Sequence, residues 1–338
     1  MSEPLLGAIE GGGTKFLCAV GHSPERILEQ IVIPTREPHS TLQAALDFFG
    51  AAQSRHGVIQ AFGIASFGPV DLRRRSPTFG RIMNTPKAGW SGTDVLGAVR
   101  GRFGVPVVID TDVGAAALAE LRLGAGRDVG SVAYVTVGTG IGGGYAPAAC
   151  NGAQLLHPEV GHLRVQRDPR DTGFAGICPF HGDCLEGLAS GPAIVARWGT
   201  QMSQLDPSHS GRSIIGNYLG QLAASIALMV SPERVILGGG VMRGGELLPK
   251  IRNTAREFLN GYIGPLQETD ALERYICAPG LGDRAGISGA LLLAAQAAGA
   301  TATARAPATT AAPTSSAAPA TTASPTPATA TLDPATRL

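Results

Sequence analysis

Residues 5–20 read LLGAIEGGGTKFLCAV: an apolar run, three glycines and a second apolar run. This pattern predicts two short strands joined by a glycine turn. Such a turn can direct successive backbone N–H groups at a phosphate, with Thr14 and Lys15 adding a hydroxyl and a positive charge. The spacing is not that of a Walker A loop, in which a helix follows the glycines. An ordinary hairpin turn explains the local sequence equally well.

The same pattern returns later in the chain. Residues 132–146, VAYVTVGTGIGGGYA, again predict a strand, a glycine turn and a strand, with Thr136 and Thr139 as hydroxyl donors. Two such hairpins indicate an internal duplication in which each half supplies one phosphate-facing turn. A third glycine turn, residues 238–240 in SPERVILGGGVM, would let an adenosine lie flat against the backbone.

Two aspartates follow a strand pattern in residues 105–124, VPVVIDTDVGAAALAELRLG. The apolar run predicts a strand, and the alanine-rich run after it predicts a helix. Asp110, Thr111 and Asp112 then lie at the carboxyl end of the strand, where ligands bind in open α/β sheets. One aspartate is a candidate for catalysis. The alternative is that an aspartate only caps the helix.

Metal-ligand residues crowd one segment of the chain. Cys178, His181 and Cys184 follow one another at three-residue spacing. Such ligands predict a tetrahedral zinc site, whose fourth ligand is His157 or His162. Incidental buried thiols are one alternative. A disulfide between the two cysteines is another, and it is disfavoured because the chain shows no secretory signal.

Two carboxylates flank these ligands: Glu159 precedes His162, and Glu186 follows Cys184. A metal that holds both ends of the segment would fix both carboxylates, as bidentate recognition of vicinal hydroxyls requires. The alternative is a pair of solvated surface glutamates. Gly68 and Pro69 end a further apolar run, at a point where backbone can approach a ligand closely.

The whole chain sets the broad class. Its 338 residues indicate two domains, and a net charge of +1 with a pI near 7.7 argues against a nucleic-acid or membrane-surface protein. No apolar segment has the length of a membrane span and no signal sequence precedes the first strand, so we expect a cytoplasmic protein. From residue 299 the chain is almost wholly Ala, Thr, Pro and Ser, which predicts a disordered tail.

Together these motifs resemble the ROK family of sugar kinases and repressors, and within it the fructokinase branch, over residues 5–298. The resemblance implies an actin-like α/β fold in which two RNase H-like domains close over sugar and ATP. The first domain is expected at residues 1–115, with a C-terminal helix at 285–298 packed back on it. The second is expected at 116–284 with a zinc loop at 157–186, and the tail at 299–338.

The resemblance also implies roles for single residues. IEGGGTK and VTVGTGIGGG are similar to the two phosphate loops of the family, VILGGG to its adenosine turn, and DTDVGAAALAE to its catalytic segment, with Asp112 as general base. The residues expected to bind substrate are Gly68, Pro69, Thr111, Asp112, Glu159, His162 and Glu186. Those expected to bind ATP are Gly12, Gly13, Thr14, Lys15, Thr136, Gly138, Thr139, Gly140, Pro192, Gly238, Gly239 and Gly240. The expected metal ligands are His162, Cys178, His181 and Cys184 for structural Zn²⁺, and Glu10 for Mg²⁺.

Departures from the glucokinase pattern favour the fructokinase branch. Glu10 stands where glucokinases have Asp, His181 replaces a third cysteine, and Thr111 replaces an Asn. Gly114 stands where the family commonly has Asn. The expected reaction is ATP-dependent phosphorylation of D-fructose to D-fructose 6-phosphate, by a homodimer with no nucleic-acid or membrane partner. The alternatives are a glucokinase, mannokinase or N-acetylhexosamine kinase, and a sugar-binding regulatory protein without kinase activity.

Overall fold

Short apolar runs that are buried along most of their length form the central strands, and capped runs form the helices. The computed structural model describes residues 3–148 and 158–305, with side chains described through residue 299. The described residues through Ala304 form one compact unit. The elements of the first part are β1 Leu6–Gly11, β2 Lys15–Ser23, β3 Arg26–Pro34, α1 Pro38–His56, β4 Ala61–Ser66, α2 Val95–Phe103, β5 Val107–Thr111 and α3 Asp112–Leu123. The later elements are β6 Ser131–Val137, β7 Ile141–Pro147, α4 Leu185–Ala189, α5 Gly191–Trp198, α6 Ser210–Met229, β8 Arg234–Gly238, α7 Leu248–Leu259, α8 Thr269–Tyr275, β9 Ile276–Cys277 and α9 Ala285–Arg305.

The described residues form two sheets of related topology. The first has the order β3-β2-β1-β4-β5, and the second has the order β7-β6-β8-β9. In each sheet an antiparallel glycine hairpin, β1–β2 or β6–β7, continues into parallel strands. This repeated arrangement confirms the duplication that the two glycine hairpins predict.

The central strands of the first sheet are buried on both faces. Along β1, Ile9 packs in the cluster of α1 and α2, whereas Leu6 and Ala8 pack in the cluster of α9. The alternation follows from the two-residue period of a strand. Ala290 and Ala294 of α9 lie in the second of these clusters. Helix α9 therefore covers the face of the first sheet opposite to α1.

Helix α3 joins the two sheets. Its residues Val113 and Ala116 pack with Tyr134 and Ile236 of the second sheet. Its residue Ala115 packs instead in the cluster that contains α9 and the first sheet. Because one short helix contacts both cores, the end that carries Asp112 is held relative to both sheets.

One helix bound differs from the predicted one. Helix α9 continues through Arg305 rather than ending at Ala298, because the alanine-rich sequence after Ala298 favours helix as readily as it suits a tail. The rest of the predicted tail lies outside the described residues. Among the residues described, no helix is both long enough and apolar enough to cross a bilayer.

Helices α3 and α9 can cross closely because Gly289 has no side chain at the point of contact. A Cβ atom at Gly289 would overlap the carbonyl oxygen of Ala115. Backbone cannot move aside as a flexible side chain can, so overpacking at this point should separate the helices.

We therefore expect Gly289→Ala to lower the free energy of unfolding by about 1–3 kcal/mol, measured by urea denaturation. Gly299→Ala is the matched control, because it makes the same change in the same helix at a position where the added Cβ atom would meet nothing within 4 Å. The control should be neutral or stabilising by up to about 1 kcal/mol, since Gly lowers helix stability relative to Ala. Equal stability of both variants and the parent chain would contradict this account of the crossing.

Candidate functional site

Two adjoining cavities lie beside the two glycine hairpins, and both are lined by residues of these hairpins. The first, here called the glycine cavity, has a volume of about 680 Å³ and is lined by Glu10, Lys15 and the turns at residues 238–240 and 243–245. The second, the glutamate cavity, has a volume of about 830 Å³ and is lined by Glu159, His162 and Glu186. Thr14, Asp112, Val113 and Thr136 line both cavities. Asp112 therefore lies where the two cavities meet.

Asp112 owes its position to the passage from β5 into α3. Thr111, the last residue of β5, is the N-cap, and its Oγ1 accepts a hydrogen bond of 2.9 Å from Gly114 N–H. Asp112 is the first residue of the helix, and its Oδ1 accepts a bond of 2.9 Å from Val113 N–H. The interpretation that an aspartate caps the helix is thus wrong, because the Thr111 hydroxyl makes that bond.

The same cap corrects the expectation for Thr111. The family resemblance predicts that the Thr111 side chain contacts substrate. In the structure, Thr111 is only 2 % exposed and lines neither cavity. Its hydroxyl is turned toward the helix and engaged there. Thr111 acts on the site through Asp112, which it places on the first turn of α3.

Gly114 makes room for Asp110. A Cβ atom at Gly114 would lie 2.6 Å from Oδ1 of Asp110 and 3.0 Å from Oγ1 of Thr111. Oδ1 of Asp110 accepts a bond of 2.7 Å from Thr111 N–H, so this carboxylate folds back over the start of the helix. The departure at Gly114 therefore fits the local packing around Asp110 and leaves Asp112 facing the cavities.

Glu10 lies at the end of β1 and faces the glycine cavity. Its burial, followed by the negative charge of Asp112, raises its pKa from 4.5 to about 7, while Lys15 opposes the shift. Its carboxylate accepts a backbone hydrogen bond from Ile287 at the start of α9. A bound cation beside Glu10 would favour the ionised carboxylate, since an opposite charge stabilises that form.

The predicted zinc ligands meet in the structure. Nδ1 of His162 lies 3.7 Å from Cys178 Sγ and 3.5 Å from Cys184 Sγ, and Nδ1 of His181 lies 3.6 Å from Cys178 Sγ. The four ligand atoms all lie within 4.8 Å of one another. The four residues that carry them, His162, Cys178, His181 and Cys184, are here called the metal-ligand cluster. Tetrahedral Zn–S and Zn–N bonds place sulfur and nitrogen about 3.6 Å apart, so these separations fit zinc. The alternative fourth ligand, His157, lies outside the described residues.

Both glutamates are attached to this cluster. Glu159 immediately precedes the short 3-10 turn Val160–His162, so its backbone is continuous with that of His162, a predicted zinc ligand. Glu186 follows Cys184 at the start of α4, and its Oε2 accepts a bond of 2.8 Å from Ile141 N–H in the second glycine hairpin. The metal-ligand cluster, the hairpin and the two carboxylates therefore form one connected wall of the glutamate cavity.

The predicted site residues other than Thr111, Cys178 and Cys184 divide into two groups. Those that line at least one cavity are Glu10, Gly13, Thr14, Lys15, Gly68, Pro69, Asp112, Thr136, Gly138, Thr139, Gly140, Glu159, His162, His181, Glu186, Gly238, Gly239 and Gly240. Gly12 and Pro192 line neither. Gly12 instead closes the hairpin through a bond to the carbonyl of Lys15, and Pro192 is exposed on α5. The structure therefore does not favour direct contact of Gly12 or Pro192 with a ligand in either cavity.

Several lining residues were missed at the level of sequence. The glutamate cavity is also lined by Phe67, Asn84, Lys87 and Phe180, and the glycine cavity by Arg243 and Asp283. Asn84 and Lys87 belong to an irregular segment without a motif. Phe180 stands between two predicted zinc ligands, and this neighbourhood is the one signal that could have found it.

Two sheets of this topology, with glycine hairpins facing a shared cleft, define an actin-like α/β protein. The ROK family model matches residues 6–297, and the chain belongs to the ROK family. It is 42% identical over 293 residues to a putative fructokinase of Bacillus subtilis, covering 87% of this chain and 96% of that protein. It is 44% identical over 295 residues to a fructokinase of Zymomonas mobilis, covering 86% and 97%.

A solved structure agrees with the family assignment. The ROK family glucokinase of Streptomyces griseus, crystallised with glucose and AMPPNP, matches with a TM-score of 0.65 at 26% identity. The match covers 86% of this chain and 99% of that one. The predicted actin-like fold is thereby confirmed.

Proposed function

We propose that this protein is an ATP-dependent fructokinase, which transfers the γ-phosphoryl group of ATP to the 6-hydroxyl of D-fructose. One observation carries the proposal: Asp112 lines both the glycine cavity and the glutamate cavity. A carboxylate at that junction reaches the point where a hydroxyl from one cavity and a phosphate from the other would meet. The fructokinases of B. subtilis and Z. mobilis support the choice of reaction.

The glycine cavity suits a nucleotide. Its wall at residues 238–240 is bare backbone, on which an adenosine can lie, and Lys15 adds a positive charge for phosphates. Thr14 and Thr136 belong to the two glycine hairpins and offer hydroxyls where the cavities meet. Backbone N–H groups in such turns neutralise phosphate charge without the reorganisation that water would require.

The glutamate cavity suits a polyol. Glu159 and Glu186 present acceptors for sugar hydroxyls, and Asn84 adds an amide to the lining of the same cavity. Gly68 and Pro69 contribute backbone rather than a long side chain, so that a sugar ring can approach. Phe180 is 55% exposed and supplies an apolar surface for the carbon face of the ring.

Asp112 would act as general base. Phosphoryl transfer needs positioning and charge neutralisation more than covalent chemistry from the protein. A sugar hydroxyl is too weak an acid to ionise before the transfer, so the proton moves to Asp112 as the new O–P bond forms. Thr111 supports this role by placing Asp112 on the first turn of α3.

The metals would act through the residues already described. Mg²⁺, when bound with ATP, would supply charge neutralisation, and the carboxylate of Glu10 offers the kind of oxygen ligand it prefers. Zn²⁺ would be structural, held by His162, Cys178, His181 and Cys184, whose separations fit tetrahedral coordination. With four protein ligands the site keeps no open position, so its contribution is to hold the wall of the glutamate cavity.

We also infer the domain boundaries from the two cores. Residues 1–115 with helix α9 would form one domain and residues 116–284 the other, each built on one sheet. A homodimer in the cytoplasm, without nucleic-acid or membrane partners, completes the proposal. It rests on the family resemblance and on the near-neutral charge of +1.

The test of this function is ADP release by the purified protein with Mg²⁺ and ATP against fructose, mannose, glucose and N-acetylhexosamines. We expect kcat/KM to be highest for fructose, and NMR of the product should show phosphate on C6. Preference for another hexose would keep the mechanism and overturn the substrate. Turnover of no sugar, with sugar binding retained, would instead indicate a regulatory protein.

A further inference from the structure

The carboxylate of Glu120 is buried in a place that the reaction does not explain. Glu120 lies on α3 and is 0 % exposed. Its Oε2 accepts hydrogen bonds of 2.7 Å from Ala125 N–H and 2.9 Å from Gly280 N–H, and its Oε1 accepts one of 2.9 Å from Leu281 N–H. Burial of a carboxylate is costly unless its oxygens are hydrogen-bonded, and three amide donors meet that need here.

The donors come from two segments far apart in sequence. Ala125 lies in the connection from α3 to β6, whereas Gly280 and Leu281 follow β9. The two segments meet backbone against backbone, since a Cβ atom at Gly280 would lie 2.6 Å from the nitrogen of Ala125. Glu120 therefore binds the two segments together at a point where their backbones are in direct contact.

The segment that Glu120 holds is a wall of the glycine cavity. Ala278, Pro279 and Gly282 line that cavity, directly beside the two residues whose N–H groups the carboxylate binds. At the other end of the same helix, Asp112 lines the cavity as well. One helix thus bears the proposed catalytic carboxylate on its first turn and the anchor of this wall near its last.

We propose that Glu120 is a positioning residue for the nucleotide. By binding the 280–281 amides it sets the distance between α3 and the 278–282 wall, and so the width of the cavity that takes ATP. The inference rests on the proposed function in that it assigns ATP to the glycine cavity. Glu120 itself lines neither cavity, so its effect passes through the segment it holds.

Glu120→Gln is the decisive variant. It preserves size but turns one acceptor oxygen into an NH₂ group, so at least one backbone N–H faces a donor. We expect the Kd for the non-hydrolysable analogue AMPPNP and the KM for ATP to rise about tenfold, because nucleotide binding must then restore a wall that has lost about one hydrogen bond to a charged group. The KM for sugar should change less than about twofold, because the wall does not reach the glutamate cavity.

A second variant reaches the same wall without touching the carboxylate. Gly280→Ala forces this segment away from Ala125 and should raise the Kd for AMPPNP in the same direction. Tyr218→Phe is the control for lost stability, since it removes a buried hydrogen bond of 2.6 Å to Asp171 in the core around α6. Its Kd for AMPPNP should stay at the parent value even if its Tm falls.

Calorimetry with AMPPNP in the absence of sugar separates this inference from the proposed function. If the parent chain phosphorylates no sugar while Glu120→Gln still weakens AMPPNP binding, the fructokinase assignment fails and the positioning role stands. If Glu120→Gln and Gly280→Ala lower only the Tm and bind AMPPNP as the parent does, the positioning role is overturned. A parent chain that binds no AMPPNP overturns it as well.

Discussion

Asp112→Asn is expected to lower kcat by a factor of about 10² or more, because an amide cannot accept the proton of the attacking hydroxyl. The variant keeps the shape of the side chain, and its Oδ1 can still accept the bond from Val113 N–H. The KM for ATP and the Kd for fructose should therefore change little. A loss confined to kcat is the signature of an interaction made in the transition state.

The matched control is Asp110→Asn, the same chemical change two positions away. Asp110 lines neither cavity, and its Oδ1 is bonded to Thr111 N–H. We expect its kcat to fall by less than about tenfold, as for a group that only orients another. Steady-state kinetics and fructose calorimetry on both variants decide the matter. Near-normal turnover in Asp112→Asn would remove the general base from the mechanism.

Cys184→Ser is expected to abolish stoichiometric zinc and to raise the KM for fructose by about tenfold or more. Changes even in the outer shell of a metal site often cost 10- to 100-fold, roughly, in affinity or activity. Cys184 is fully buried and continues directly into the turn that carries Glu186, so loss of the metal should release that carboxylate. The KM for ATP should change far less, because the metal-ligand cluster borders only the glutamate cavity.

Zinc content, measured by inductively coupled plasma emission spectroscopy, and the KM values for fructose and ATP test this expectation. Cys277→Ser is the matched control, since Cys277 lies on β9 outside the metal-ligand cluster and should leave zinc content intact. Prolonged chelation of the parent chain should reproduce the defect, and added Zn²⁺ should restore the activity. A metal-free protein with the parent KM for fructose would show that the cluster has no part in sugar binding.

Much of this protein could be predicted from local sequence. The duplicated glycine hairpins required only short-range patterns, namely apolar runs around turn glycines, and the two sheets begin with them. The metal-ligand cluster was readable because three of its ligands fall within one short segment. The carboxyl end of β5 was recognisable as a site because sheet geometry places ligands at strand ends.

Local sequence was a poorer guide where several neighbouring side chains compete for one role. Asp110, Thr111 and Asp112 could each have capped α3, and the choice of Thr111 depends on the backbone path out of β5. That path follows from the parallel pairing of β5 with β4, between residues distant in the chain. The start of the predicted tail showed the same weakness, since the alanine-containing run that follows Ala298 suits a helix as readily as a coil.

By itself, then, the sequence determined the strand and turn pattern, the residues of the metal-ligand cluster and the family, because each of these depends on neighbours along the chain. Only the tertiary structure decided that Asp112 stands at the junction of two cavities and that Glu120 binds the amides of Gly280 and Leu281. Both facts depend on contacts between segments more than a hundred residues apart. Packing of the two cores on α3 sets those contacts, and no local periodicity encodes them.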